Sequence, residues 1–176
     1  IVHNNDKLIA IFGVPYEPGQ LIAMKLPDVA PTNAAAGPVV LERAKLQLWA
    51  AEDSTSTSSL ILVGDTVYVV AEKGDLCAVD ANTGVIKWKL KLGIEQRNSC
   101  PFYADGKLYV PMLEDPAGKG AGDGAGETGA KGAFYIIKPG DQPEILQHAE
   151  LEGRCFGTPV AYNGKLYMQT TKHLYC

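Results

Sequence analysis

The segment Gly124-Ala125-Gly126-Glu127-Thr128-Gly129 spells G-x-G-x-x-G, a spacing that lets backbone close around a pyrophosphate when a strand precedes it and a helix follows. No helical periodicity follows here, and the segment lies inside a run of Gly and Ala, so it reads as a flexible insertion. Lys131, flanked by Ala130 and Gly132, does not complete a phosphate loop. Asp115, Asp123 and Glu127 supply oxygen donors but lack the regular ligand spacing of a calcium-binding loop. Cys77, Cys100, Cys155 and Cys176 include no C-x-x-C pair, and His3, His148 and His173 do not cluster, which argues against zinc. A serine or cysteine nucleophile needs a histidine placed by the fold, and the sequence pairs none. Cys77 and Cys176 sit in apolar strand patterns and read as free thiols acting as small hydrophobes. Cys100 and Cys155 each precede a strand, which leaves a bridge between them open. Two polar stretches remain: Glu95 to Cys100, with Arg97 and Asn98, and Glu152 to Phe156, with Arg154. Either arginine can hold a carboxylate or a partner's acidic group, or can serve as a surface charge or a donor between neighbouring elements.

The chain that must position these residues has 176 amino acids, 46% apolar and 20% charged, which suits one folded domain, residues 1–176. Sixteen basic and twenty acidic residues give a net charge of -4 without any Lys/Arg block, so nucleic acid is not an expected partner. The longest apolar runs, Leu60 to Val63 and Val67 to Ala71, are far shorter than the roughly 20 residues of a membrane-spanning helix.

Turn signals reveal an internal repeat. Asn5-Asp6-Lys7-Leu8-Ile9, Gly64-Asp65-Thr66-Val67-Tyr68, Asp105-Gly106-Lys107-Leu108-Tyr109 and Asn163-Gly164-Lys165-Leu166-Tyr167 each place a hairpin turn before an apolar pair. A third strand follows each hairpin, at residues 20–24, 75–79, 133–137 and 173–176. A fourth is clearest at Val85 to Leu90, with weaker counterparts at Lys45 to Trp49 and Glu144 to His148. Tandem four-stranded meanders of about 40 residues are the signature of β-propeller blades. The expected fold is therefore all-β, an incomplete propeller with blades at about 1–53, 54–93, 94–153 and 154–176. The positions equivalent to Tyr68 are 59, 41 and 58 residues apart, so the first and third units carry insertions, Pro27 to Pro38 and Ala117 to Gly132. Both are expected to be mobile surface loops.

Ala78-Val79-Asp80-Ala81-Asn82-Thr83-Gly84-Val85-Ile86-Lys87-Trp88 joins the third and fourth strands of the second unit. Asp80 can accept hydrogen bonds from the turn, Gly84 can take a positive φ, and Val85 and Lys87 alternate with Ile86 and Trp88. Trp88 is expected to pack on the next blade, because one blade alone cannot bury both faces. The pattern A-x-D-x-x-T-G-x-x-x-W, carried by Ala78, Asp80, Thr83, Gly84 and Trp88, resembles the tryptophan-docking motif of the pyrroloquinoline quinone (PQQ) repeat family of quinoprotein-type propellers. In the third unit Gln142 stands at the glycine place and Leu146 at the tryptophan place. In the first, an insertion separates Ala23 from Trp49.

The resemblance implies a ring of about seven or eight blades, so four units ending at Cys176 are expected to be a fragment of a longer ring, or half-rings that assemble. Self-association through open blade edges is expected in either case. For the dehydrogenases of this family the resemblance implies PQQ and calcium in the central channel, an aspartate base, and in many members a disulfide between adjacent cysteines. No two cysteines are adjacent here, and only the docking motif matches, so no cofactor ligand carries over. For the non-enzymatic relatives, which include a lipoprotein assisting outer-membrane protein assembly, it implies surface loops that bind a protein. The expectation is a non-catalytic scaffold or interaction propeller without a cofactor, in an exported, periplasmic or envelope protein. The alternatives are a fragment of a PQQ- and calcium-dependent dehydrogenase and a propeller that binds carbohydrate or another ligand. Loops entering the innermost strands surround the channel mouth of a propeller, which makes Arg97, Asn98 and Arg154 the candidate contact residues.

Overall fold

A computed structural model of the chain describes residues 1–13, 18–27, 40–55, 58–93, 99–114, 131–155 and 157–176. The first sheet is a meander of β1 (Val2–Asn4), β2 (Lys7–Phe12), β3 (Pro18–Lys25) and β4 (Gln47–Thr55), with a one-turn helix α1 (Arg43–Leu46) before its last strand. The second holds β5 (Ile61–Val63), β6 (Thr66–Val70), β7 (Asp75–Asp80) and β8 (Ile86–Lys91). The third holds β9 (Phe102–Ala104), β10 (Lys107–Glu114), β11 (Lys131–Lys138) and β12 (Glu144–Glu152), and the fourth β13 (Val160–Tyr162), β14 (Lys165–Gln169) and β15 (Leu174–Tyr175). All pairings are antiparallel between sequence neighbours, the arrangement of successive propeller blades.

Hairpin chemistry follows the turn residues. Asn5, Gly64, Asp105 and Asn163, each first in its two-residue turn, have φ of 53°, 57°, 48° and 48°. Asn, Asp and Gly tolerate this left-handed region, and a turn of matching twist locks the register of the strands it joins.

Alternation then sets the core. In the second blade Val67, Val69, Cys77 and Val79 face the first blade and pack with Ile9, Leu21 and Ala23. Tyr68, Val70, Leu76 and Ala78 face the third and pack with Leu108, Val110, Met112, Ala133, Tyr135 and Ile137. The core is therefore a series of seams between sheets, and among the described residues both faces of the second blade pack against a neighbour.

Several expectations need correction. The stretch 45–49 begins as α1, and β4 then runs to Thr55, beyond the expected blade limit at Asp53. Lys131 and Gly132 are strand residues of β11, because their backbone pairs with Glu152 and Leu151. The rest of that insertion, and 28–38 of the other, lie outside the described residues. Exposure alternates along β8 as expected, with its lysines exposed, but Ile86 and Trp88 do not share one face. A bulge between Ala78 and Val79 leaves Lys87 without a partner across the ladder. Ile86 therefore packs toward the first blade and Trp88 toward the third.

Candidate functional site

The turn between β7 and β8 is organised by one carboxylate. Asp80 Oδ1 accepts from the backbone N–H groups of Asn82 and Thr83 and from the Thr83 hydroxyl, each at 3.0 Å. Its other oxygen lies 3.3 Å from the Lys87 ammonium. Desolvation raises the Asp80 pKa, but the hydrogen bonds from Thr83, Asn82 and Lys87 outweigh it and hold the carboxyl below its ordinary 3.8. The turn is thus set as a rigid knob, with Gly84 at φ 75°.

That knob is a seat for the preceding blade. A side-chain Cβ at Gly84 would lie 2.6 Å from the Trp49 ring, and Trp49 Nε1 donates to Ala81 O at 3.2 Å. Gly84 is required twice, for its φ and for the indole that rests on it. Trp88 repeats the arrangement one blade further on, donating from Nε1 to Gly140 O at 2.8 Å and packing against Tyr68 with ring centroids 5.8 Å apart. Ala78, fully buried, sits across the ladder from Trp88, as Ala23 sits across from Trp49. Trp49 is the docking residue of the first blade despite the insertion that separates it from Ala23. The sequence offered Trp49 as the counterpart beyond the insertion, and the sheet register supplies its pairing partner.

The third blade departs from this pattern. Its register places Gln147, across from Ile136, at the tryptophan position, one residue beyond the expected Leu146. Leu146 is the bulged residue, as Lys87 is in the second blade. The seam to the fourth blade is correspondingly polar. The Thr170 hydroxyl donates to Glu152 O at 2.7 Å, Glu152 N–H donates to the Tyr175 hydroxyl at 3.1 Å, and His173 Nε2 lies 3.3 Å from Glu152 Oε2. Arg154, half-buried beside this seam, donates its backbone N–H to Thr171 Oγ1 at 3.1 Å and accepts from Thr171 N–H at 2.9 Å. Its backbone thus ties the segment after β12 to the turn between β14 and β15. Arg97 and Asn98 lie outside the described residues.

All four thiols are free, so Cys100 and Cys155 form no bridge. Cys155 is buried with its Sγ 3.5 Å from Gln169 O, and burial pushes its thiol up to about 11. Cys77 is buried as expected, whereas Cys176 is exposed. A second feature unseen in the sequence is the buried pair Ser58 and Ser99. Ser99 N–H donates to Ser58 Oγ at 3.2 Å, and the Ser99 hydroxyl donates to Pro111 O at 2.6 Å. Among the described residues no three His, Cys, Asp or Glu side chains converge as a metal site requires.

The repeated sheets, with indoles docked on the turns of following blades, define a PQQ-like repeat β-propeller. The family profile described as outer membrane protein assembly factor BamB matches residues 34–125, just over half of the chain, and the chain belongs to that family. The outer membrane protein assembly factor BamB of Burkholderia pseudomallei (strain K96243) is 27% identical over 128 residues, covering 70% of this chain and 28% of that protein. The crystal structure of BamB from Moraxella catarrhalis superposes with a TM-score of 0.59 at 18% identity, over 98% of this chain and 40% of that one. A europium-containing methanol dehydrogenase gives a TM-score of 0.49 at 13% identity, over 84% of this chain and 23% of that one. The chain thus spans well under half the length of the relatives it matches.

Proposed function

We propose that the chain acts as a non-catalytic interaction propeller of the BamB type, in an exported protein of the cell envelope, binding a protein partner and using no cofactor. The observation that carries this reading is the family match over residues 34–125. The geometry supports it, because the residues of the quinoprotein motif have structural roles: Trp88 on Gly140 and Gly84 beneath Trp49 join blades, and Asp80 holds the turn on which Trp49 rests. The contact surface of this reading is the set of loops entering the innermost strands, including Arg154 and the stretch with Arg97 and Asn98.

Titration of the protein with pyrroloquinoline quinone and calcium chloride, reading the fluorescence of Trp49 and Trp88, tests this function. The expected result is no saturable quenching, together with protection of the loop around Arg154 from protease when an envelope extract is added. Saturable, calcium-dependent quenching would replace this reading with that of a quinoprotein dehydrogenase.

A further inference from the structure

The four hairpin turns share a backbone shape and differ in the two residues at their centres. Asn5-Asp6, Gly64-Asp65, Asp105-Gly106 and Asn163-Gly164 fill these positions, and the first of each pair has a φ between 48° and 57°. In the third and fourth blades the match extends to the second position, with φ of 69° at Gly106 and 72° at Gly164. It extends to the register as well, since Lys107 pairs with Ala104 as Lys165 pairs with Tyr162. The two turns are therefore one structure, with a carboxylate in the third blade and a carboxamide in the fourth. The third blade has a neighbour on each side and its turn is exposed too, so exposure belongs to the hairpin and not to a place in the series.

A backbone nitrogen can attack the side-chain carbonyl carbon of the Asn or Asp before it and close a five-membered imide. The reaction needs a leaving group on that carbon and a nitrogen unscreened by a side chain on its own residue. Asn5 supplies the amide, but the nitrogen after it belongs to Asp6. Gly64 supplies no side-chain carbonyl. Gly106 supplies a bare nitrogen, but the hydrogen bond from Lys107 Nζ, 2.5 Å from Asp105 Oδ2, holds that carboxyl below its ordinary 3.8, and an ionised carboxylate is a poor electrophile. Asn163-Gly164, the one Asn-Gly pair in the sequence, combines amide and bare nitrogen. Among the described residues nothing lies within 4 Å of the place a Cβ would take at Gly164.

We propose that Asn163-Gly164 is a site of spontaneous deamidation, and that the fold accommodates the aspartyl product because it reproduces the Asp105 turn, with Lys165 placed as Lys107 is. Gly164 N gives its proton to a solvent base and bonds to Asn163 Cγ. The Cγ–Nδ2 bond breaks, and Nδ2 takes up a proton and leaves as ammonia. Water then opens the imide. Attack at Cγ breaks the new bond and leaves aspartate in the original main chain. Attack at the Asn163 backbone carbonyl breaks the original peptide bond and leaves isoaspartate, whose main chain runs through Cβ and Cγ and is one methylene longer. Either product adds one negative charge. The extra methylene spoils the twist by which a two-residue turn sets the register of β13 on β14. Met168, buried at the seam with the third blade, lies on that strand. The isoaspartyl product therefore loosens the seam and the aspartyl product does not. This inference is independent of the envelope role and of any cofactor.

Incubation of the whole chain in mildly alkaline buffer, followed by site-resolved mass spectrometry, tests it. Asn163 is expected to lose its amide about tenfold or more faster than Asn5, which shares its turn geometry but not its glycine. Asn163→Asp is expected to unfold at the urea midpoint of the wild type, and the isoaspartyl fraction, separated by chromatography, at a lower one. The site is overturned if Asn163 keeps its amide as long as Asn5 does. The accommodation is overturned if Asn163→Asp lowers the midpoint or loses far-ultraviolet strand signal, and the register argument if the isoaspartyl fraction unfolds with the wild type.

Discussion

The seam between the second and third blades and the seam between the third and fourth join sheets of the same repeat by different physics. Among the described residues the first buries eleven apolar side chains, adds the Trp88 indole on Gly140, and ties Tyr135 to Leu92 O through a buried hydroxyl at 2.8 Å. Among the described residues the second buries three, Phe134, Cys155 and Met168, and carries the hydrogen bonds of Thr170, Thr171 and Tyr175 around Glu152 and Arg154. Apolar burial stabilises by roughly 25 cal/mol per Å², whereas a hydrogen bond exchanged with water contributes about 1 kcal/mol. The exposed His173 and Glu152 pair adds on the order of 0–1 kcal/mol. One repeat therefore yields a strong joint where the tryptophan stands and a weaker one where glutamine replaces it.

The sharpest way to break this contrast is truncation on either side of it. Ile137→Ala, in the larger core, is expected to cost about 4 kcal/mol, and Met168→Ala, in the smaller, about 2 kcal/mol. Urea midpoints compared at constant slope read the difference, and equal losses would erase the distinction. Gly84→Ala follows at about 3 kcal/mol, because the new methyl meets the Trp49 ring at 2.6 Å on a backbone of positive φ. A red shift of tryptophan emission should accompany it.

Thiol labelling sharpens the comparison without substitution. Cys155, at the weaker seam, is expected to react about tenfold faster than Cys77, which is buried in the apolar seam between the first and second blades, since each must wait for its own joint to open. Mass spectrometry of the labelled peptides reads both rates in one sample, and the reverse order would place the weak joint elsewhere. Trp88→Phe keeps the ring but removes the bond to Gly140, at an expected cost of about 1 kcal/mol.

The smallest effect is the acid response of the docking turn. The folded Asp80 carboxyl titrates below its unfolded value of 3.8, so its contribution is present above that pH and is lost as pH falls through the depressed folded value. The stability difference between wild type and Asp80→Asn should therefore shrink on acidification over that window. A difference that persists at the lowest pH would assign Asp80 a role independent of its charge.

Much of the architecture was legible because turns and alternation are local. Asn5, Gly64, Asp105 and Asn163 announce four hairpins, and the apolar pairs after them give the strands their inward faces. Trp88 was legible as a docking residue because its whole motif is contiguous, whereas Trp49 stood only as a candidate counterpart, because an insertion separates it from Ala23. Gln147 was misplaced by one residue for a related reason: the bulge at Leu146 shifts the partner and leaves no mark in the sequence. Ser58 with Ser99, and Glu152 with Thr170, meet across 41 and 18 residues, and no spacing rule links such pairs.

The sequence by itself determined the all-β class, the repeat and the knob from Asp80 to Gly84, since each depends on interactions within a few residues of chain. Only the tertiary structure decided which indole rests on which turn, and which seam is apolar and which polar. Those outcomes depend on register and on the stacking of distant sheets. A one-residue bulge moves a side chain from one face to the other, and the partner across a seam is set by three-dimensional neighbours rather than by order along the chain.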